Sequence, residues 1–199
     1  KVNIELTKTV INLCKKNKIK NIIYFSGLGV SKNSRSSYFI SKFSAEQLIK
    51  KSGLQYTIFR PSYILGIDDY LTKNISKQIL KKQVLIPGSG NFILQPISID
   101  DVCLCINDVL HSSKFLNKTF DLVGPKKLSF QKLIKKSVSP KIKIKKIDLE
   151  LAYQKALNDI NSEYSVEDLN ILVGNYVGNH KKLQNLCDFK FKNIESLNT

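Results

Sequence analysis

Two short runs of apolar residues constrain the fold most, Asn21 to Phe25 and Tyr56 to Phe59. Each follows a stretch with helical periodicity, Val2 to Lys16 before the first run and Ser37 to Ser52 before the second. Short continuous apolar runs rich in β-branched and aromatic residues are typical of strands buried on both faces. Helices that alternate with such strands indicate a parallel sheet with crossover connections. The sequence therefore predicts an α/β fold with a doubly wound parallel sheet.

The rest of the chain continues this alternation with shorter elements. Further helices are predicted over Asp69 to Lys81, Val102 to Leu110, Phe130 to Lys136, Leu149 to Ile160 and Val166 to Val173. Further strands are predicted over Val84 to Ile86, Ile93 to Ile99, Thr119 to Val123 and Lys141 to Ile147. Asp100 and Asp101 precede Val102, where a carboxylate can cap a helix. We expect them to be caps and not catalysts.

The composition is that of a globular protein, with 42% hydrophobic residues in a chain of 199. No apolar run approaches the roughly 18 residues of a membrane span, and residues 1–7 do not resemble a signal peptide. We expect a cytoplasmic protein, or one of an organelle matrix or stroma. Peripheral association with a membrane stays open.

The formal net charge of +16 would by itself suggest a nucleic-acid partner. The lysines are spread along the chain, however, and arginine occurs only at Arg35 and Arg60. Arginine is the residue that best recognises phosphate and guanine, and this chain has only two arginines. We therefore do not expect nucleic acid as the partner. The cysteines lack metal-binding spacing, so we expect no metal site and reduced thiols: Cys14, Cys103, Cys105 and Cys187.

Tyr38 and Lys42 are the first candidates for chemistry, because a spacing of four places both on one face of a helix. An ammonium one turn from a phenol favours the phenolate, which lowers the pKa of the tyrosine so that it can exchange a proton with a substrate oxygen. This pattern also occurs by chance, as a half-buried tyrosine beside a solvated lysine. The pair is therefore informative only together with other motifs.

Four further segments occur in the order and spacing of one family. They are KVNIELTKTVINLCKKNKIKNIIYFSGLGV, YFISKFSAEQLIKKSGLQYTIFRPSYILG, LQPISIDDVCLCI and TFDLVGPKKLSFQKLI, which begin at Lys1, Tyr38, Leu94 and Thr119. Over residues 1–136 the chain resembles the extended short-chain dehydrogenases/reductases, the NAD-dependent epimerases/dehydratases. It is most similar to their atypical, NmrA-like branch, which includes a nucleotide-binding accessory subunit of complex I.

This resemblance implies a dinucleotide cofactor, NAD or NADP. It implies either an oxidoreductase or sugar-nucleotide epimerase/dehydratase with a small-molecule substrate, or a non-catalytic dinucleotide-binding subunit or assembly factor of a membrane redox complex. A basic scaffold that binds nucleic acid or an anionic membrane is a weaker third hypothesis. The family pattern makes Tyr38 the acid/base, and Lys42 the residue that lowers its pKa and holds the nicotinamide ribose.

Ser26 and Gly27 carry the main ambiguity of the predicted site. The family's active-site serine, which donates to the substrate oxygen, aligns with Ser26 or one residue later, where Gly27 stands. The resemblance gives Ser26 the catalytic role and Gly27 a contact with the cofactor; Ser26 could instead bind local backbone. It also implies cofactor contacts from Arg60, Pro61, Ser62 and Tyr63. Alternatively, Pro61 stops a buried strand and Arg60 pairs with a carboxylate.

A glycine-rich turn between a strand and a helix is the remaining requirement of this family. None of the nine glycines lies in that context. The resemblance therefore implies an N-terminally truncated fragment whose glycine loop lies upstream. We expect residues 1–66 to complete a partial Rossmann-type sheet, with 92–112 returning to it. Residues 67–91 and 113–199 are expected to form a smaller C-terminal α+β substrate lobe.

Overall fold

A computed structural model describes residues 2–34 and 36–197, so Arg35 lies outside the described residues. Its helices are α1 (Val2–Lys16), α2 (Ser37–Lys50), α3 (Tyr70–Leu80), α4 (Ile99–His111), α5 (Phe130–Ser137), α6 (Leu149–Asn158), α7 (Val166–Leu172) and α8 (His180–Gln184). Its strands are β1 (Asn21–Phe25), β2 (Gln55–Pro61), β3 (Ile64–Leu65), β4 (Gln83–Pro87), β5 (Ile93–Leu94), β6 (Ile97–Ser98), β7 (Lys118–Leu122), β8 (Leu128–Ser129) and β9 (Lys143–Ile147).

The main sheet has the strand order β1-β2-β7, and all three strands are parallel. Its register aligns Phe25 with Phe59 and Phe59 with Phe120, so three phenylalanines lie side by side across the sheet. This arrangement confirms the predicted α/β class with a parallel sheet. The carboxyl ends of β1 and β2, where ligands of such sheets bind, lie next to each other.

Both faces of this sheet are covered, which explains why its strands are continuously apolar. On one face, Ile58 packs with Ile11 of α1 and Ile49 of α2. On the other face, Phe59 packs with Val102 and Cys105 of α4. Neighbouring residues of β2 thus point to opposite layers. The two layers fix α2 beside the carboxyl end of β1, and this position determines the site described below.

A second core lies between the short strands and the later helices. In it, β4 pairs with β9 in parallel and β5 pairs with β8 in antiparallel orientation. Its fully buried side chains include Ile75, Val84, Ile86, Phe130 and Leu133. We propose that this core corresponds to the predicted second lobe. Part of residues 113–199, which the predicted division assigned to the second lobe, belongs to the main sheet instead. The strand β7 pairs with β2, and Phe115, Leu183 and Phe191 pack in the same core as Phe59.

Two local predictions are wrong. The predicted strand Ile93 to Ile99 is two short strands, β5 and β6, because Pro96 has no N–H for a continuous ladder. The helix α4 begins earlier than predicted, and its cap is Ser98, whose side chain accepts from the Asp100 amide. Asp100 and Asp101 therefore lie in the first helical turn. In the described part of the chain, no helix has the length and apolar character needed to cross a membrane.

Candidate functional site

Tyr38 and Lys42 lie in the first half of α2, beside the carboxyl end of β1. The Lys42 ammonium donates to the carbonyl oxygen of Phe25, the last residue of that strand, at 2.9 Å. The same nitrogen lies 5.0 Å from the centre of the Tyr24 ring and 5.8 Å from that of Tyr38. Burial lowers the pKa of Lys42. The two residues thus lie on one helix, as their spacing predicted, and the structure adds that this helix begins beside the end of β1.

The electrostatic relationship between the two residues differs from the sequence-based expectation. The pKa of Tyr38 is raised, first by burial and then by the carboxylate of Glu167 on α7. The expected lowering by Lys42 is wrong for this arrangement, because the Lys42 ammonium is directed to the Phe25 carbonyl. Tyr38 is therefore a neutral phenol at neutral pH. A neutral phenol can donate a proton but is a poor base.

A cavity of about 150 Å³ lies at the carboxyl ends of β1 and β2, and we call it the strand-end cavity. It is lined by Ser26, Gly27, Leu28, Tyr38, Phe39, Pro61, Ser62, Tyr63, Ile171 and Tyr176. Six of the eight sequence-predicted site residues line it. Lys42 and Arg60 do not.

Arg60 points away from this cavity and pairs with Glu46 of α2. Its guanidinium donates to both carboxylate oxygens, at 2.8 Å and 2.7 Å. Glu46 is fully buried, and burial by itself raises the pKa of its carboxyl group. Arg60 together with Ser26 and Lys50 outweighs burial and holds the pKa of Glu46 below its usual value. A cofactor contact of Arg60 would therefore come from its backbone.

The hydroxyl groups of Ser26 and Ser62 are buried at the wall of the cavity. Neither oxygen makes a hydrogen bond of ordinary geometry to another described residue. The Ser26 hydroxyl nevertheless lies close enough to Glu46 to help lower the pKa of that carboxyl group. Unpaired buried hydroxyls are uncommon in folded proteins, since each costs a hydrogen bond that water would supply. The Ser62 hydroxyl is the one that a polar ligand at this cavity could satisfy, because the Ser26 hydroxyl lies beside Glu46.

Tyr176 covers the cavity from the C-terminal segment, a role that the sequence analysis missed. Its ring centre lies 5.6 Å from that of Phe39, and its amide donates to the carbonyl oxygen of Ile93 at 3.0 Å. A Cβ atom on Gly29, which has φ +93°, would come within 2.6 Å of the Tyr176 ring. The glycine at position 29 was the sequence signal that another group packs closely here, but the sequence does not show that this group is Tyr176.

The NAD(P)H-binding family model matches residues 1–110, more than half of the chain. The chain belongs to the NAD(P)H-binding family. It is 28% identical over 166 residues to the Prestalk A differentiation protein A of Dictyostelium discoideum, covering 81% of this chain and 52% of that protein. It is 25% identical over 125 residues to the mitochondrial NADH-ubiquinone oxidoreductase 40 kDa subunit of Neurospora crassa, covering 63% and 32%. The chain thus spans about half or less of these relatives.

Solved structures confirm the fold of this NAD(P)H-binding chain. A triphenylmethane reductase from Citrobacter sp., solved with NADP(H), has a TM-score of 0.73 at 15% identity, covering 96% of this chain and 68% of that chain. A nucleoside-diphosphate-sugar epimerase from Staphylococcus aureus has a TM-score of 0.73 at 14% identity, covering 94% and 67%. The Rossmann-type fold that the resemblance implied is therefore confirmed, and the family model gives NAD or NADP as the cofactor of the family.

The residues at the strand-end cavity fit the nicotinamide end of this cofactor. The cavity lies at the carboxyl ends of parallel strands, the edge where open α/β sheets bind ligands. Its wall combines the rings of Tyr38 and Phe39 with the unpaired hydroxyl of Ser62. Apolar surface suits an aromatic ring, and an unpaired hydroxyl suits its amide. The cavity wall can therefore contact both the nicotinamide ring and its amide, although no charged side chain lines it.

Proposed function

We propose that this chain supplies the acid/base residues and the substrate side of an NAD(P)H-dependent oxidoreductase that reduces carbonyl compounds. One observation carries the proposal. The strand-end cavity brings together Tyr38 and five other residues that the family pattern predicts, at the carboxyl ends of β1 and β2. Chance would not gather residues from three separate segments around one cavity.

Tyr38 is the proton donor in this proposal. Its ring is 36% exposed and lines the cavity, and its hydroxyl makes no hydrogen bond to another described residue. Since its pKa is raised, the phenol stays protonated at neutral pH and can transfer its proton to a carbonyl oxygen. When bound, NAD(P)H supplies the hydride that the carbonyl carbon requires. Reduction to the alcohol then balances, with the hydride on carbon and the Tyr38 proton on oxygen.

Lys42 holds the ribose next to the nicotinamide in this proposal. Its ammonium has no described carboxylate to pair with, so its remaining donors are available to hydroxyl groups. Gly27, Pro61, Ser62 and Tyr63 form the wall that contacts the nicotinamide ring and its amide.

The second candidate is a dinucleotide-binding subunit without turnover. The burial of the Ser26 hydroxyl beside Glu46 favours it, because a substrate-oxygen donor should face the cavity. The similarity to a mitochondrial NADH-ubiquinone oxidoreductase subunit points the same way and would place the protein in an organelle. Ser26→Ala separates the two proposals. It lowers turnover where Ser26 donates to the substrate, and it affects only stability where Ser26 serves Glu46.

Deuterium transfer tests the reductase directly. The expressed protein that carries this chain would be mixed with NADH or NADPH deuterated on the nicotinamide ring and with an aromatic ketone. The proposal predicts deuterium on the alcohol carbon, detected by mass spectrometry, and more than a protein-free sample gives. Dinucleotide binding without any deuterated alcohol would support the binding subunit instead.

A further inference from the structure

A second cavity, of about 180 Å³, adjoins the strand-end cavity and has no role in the proposal above. We call it the ring cavity. The two cavities have Tyr63 and Ile171 in common as wall residues, so each lies on one side of these two side chains. Ile171 belongs to α7, whereas Tyr63 links β2 to β3. A molecule that extends past both side chains would occupy the two cavities at once.

The wall of the ring cavity is mainly aromatic and aliphatic. Its apolar members are Tyr63, Ile64, Leu71, Tyr164, Ile171 and Leu172. A dry apolar cavity of about 150 Å³ is large enough to bind benzene. The ring cavity is therefore the right size for one aromatic ring with a small substituent.

Most of the polar side chains at this wall already have partners. Asp69 accepts from the Thr72 amide at 2.9 Å, and the Tyr70 hydroxyl donates to Asp168 at 2.9 Å. The Tyr164 hydroxyl donates to the Leu85 carbonyl at 2.7 Å. The Asn74 amide donates to the Glu163 carbonyl at 2.5 Å. Among the described residues, the Tyr63 hydroxyl and the second carboxylate oxygen of Asp168 have no such partner, but most of the wall is apolar. Recognition in the ring cavity therefore depends mainly on apolar contact.

The walls of the two cavities do not share the positive charge of the chain as a whole. The chain carries +16, yet none of the described residues that line either cavity is lysine or arginine. Asp69 and Asp168 line the ring cavity instead. After burial, Asp168 is among the groups that raise the pKa of Tyr63 and Tyr164, which agrees with its position at this wall. A diphosphate or carboxylate ligand meets repulsion here and finds no cation to pair with.

We propose that the ring cavity binds the apolar ring of a small, uncharged carbonyl compound whose carbonyl group reaches Tyr38 in the strand-end cavity. The inference rests on the proposed function and selects its substrate class. It favours uncharged aromatic ketones and aldehydes over nucleotide sugars, because a nucleotide sugar would bring a diphosphate past Asp168. Hydride and proton transfer balance as described above.

Binding measured without turnover tests this inference separately from the reductase. Acetophenone and its para-carboxylated analogue would be titrated into the expressed protein without dinucleotide, with isothermal calorimetry as the readout. We expect acetophenone to bind about tenfold or more tightly than the carboxylated analogue, since burying an unpaired carboxylate costs more than about 1.4 kcal/mol. Equal affinity of the two compounds, or no binding of acetophenone, would overturn the inference.

Ile171→Trp tests the location, because the larger side chain at the shared wall fills part of the cavity. It should weaken acetophenone binding about tenfold, the scale of a misfit in an apolar pocket. Ile160→Trp is the matched control, since Ile160 is 100% exposed and outside both cavities. An unchanged affinity in a folded Ile171→Trp protein contradicts the proposed location.

Asp168→Asn tests the charge with little change of shape, since an asparagine oxygen can still accept from Ser165 and Tyr70. It should improve binding of the carboxylated analogue about three- to tenfold while leaving acetophenone binding unchanged. Asp100→Asn, at an exposed pair with Lys192, should change neither. A protein that passes these tests but reduces no ketone would keep the ring cavity and reject the reductase.

Discussion

The Lys42 ammonium lies 5.8 Å from the centre of the Tyr38 ring and is hydrogen-bonded to the carbonyl oxygen of Phe25. The two side chains thus share one helix and one end of β1, but the ammonium serves the strand and not the phenol. Lys42 is held in place for a ligand hydroxyl, and Tyr38 remains a protonated donor. Because Tyr38 stays protonated, the proposed reaction is carbonyl reduction, in which Tyr38 donates the proton.

The pH dependence of carbonyl reduction follows from this arrangement. Tyr38 must be protonated to act, and burial and Glu167 raise its pKa above the usual value near 10. We therefore expect kcat/KM for an uncharged ketone to stay level from about pH 6 to about pH 9 and to fall only above about pH 10. A fall centred near pH 7 to 8 would contradict this profile and would point to Lys42, whose pKa is lowered by burial, or to a lowered pKa of Tyr38.

The Arg60–Glu46 pair predicts a large stability effect close to the site. Glu46→Gln leaves the Arg60 guanidinium without its bidentate partner in a half-buried position, so we expect a loss of about 2 to 4 kcal/mol in the free energy of unfolding. Urea unfolding at neutral pH measures it. Glu5→Gln is the matched control, because the Glu5–Lys8 pair is exposed and should contribute less than about 0.5 kcal/mol.

The same pair gives a pH signature. The folded pKa of Glu46 is below the usual glutamate value of 4.5, so the ionised carboxylate stabilises the folded state above that pH. The stability difference between wild type and Glu46→Gln should be constant near neutral pH and shrink as the pH falls through the folded pKa. A difference that does not change down to about pH 2 would show that the charge of Glu46 is not its source.

The Tyr176 ring, which covers the cavity, packs closely against Gly29. Gly29→Ala combines an unfavourable positive φ with a clash against the Tyr176 ring. Gly53 also has a positive φ, of +82°, but nothing lies within 4 Å of an added Cβ atom. We expect Gly53→Ala to cost about 1 kcal/mol, and Gly29→Ala to cost about 1 to 3 kcal/mol more. Equal losses in thermal unfolding would mean that Tyr176 does not pack against Gly29.

Ser62 offers an unpaired hydroxyl to the cofactor, so Ser62→Ala should reduce affinity more than stability. We expect dinucleotide affinity to fall about three- to tenfold, as for one neutral hydrogen bond of about 0.5 to 1.5 kcal/mol. Unfolding free energy should change by less than about 0.5 kcal/mol, because no protein partner is lost. Fluorescence titration of NAD(P)H measures the first quantity. Unchanged affinity would remove Ser62 from the cofactor site.

The sequence was sufficient for the elements whose signal is local. The runs that form β1 and β2 are continuously apolar, so these strands could be predicted. Residues spaced by four lie on one face of any helix, so the placement of Tyr38 and Lys42 on one face of α2 could be predicted too. The helix predicted to begin at Phe130 also begins there in the structure. In each case the deciding residues are close together in the chain.

Contacts between distant segments could not be predicted in the same way. Tyr176 and Ile171 reach the cavity from a segment with weak periodicity, and their neighbours are more than a hundred residues earlier. The direction of the Lys42 ammonium likewise depends on the Phe25 carbonyl, which only the packing of α2 against β1 brings near. The predicted effect of Lys42 on the pKa of Tyr38 was wrong for that reason.

Tyr38→Phe is the measurement that tests the central claim most directly. It removes the donor hydroxyl but keeps the ring, and Tyr56→Phe, on β2 outside the cavity, is the matched control. With a saturating dinucleotide and an uncharged aromatic ketone, we expect Tyr38→Phe to lower kcat about 10²- to 10⁴-fold, while NAD(P)H affinity stays within about twofold. Turnover that Tyr38→Phe leaves unchanged would contradict the assignment of Tyr38 as the proton donor.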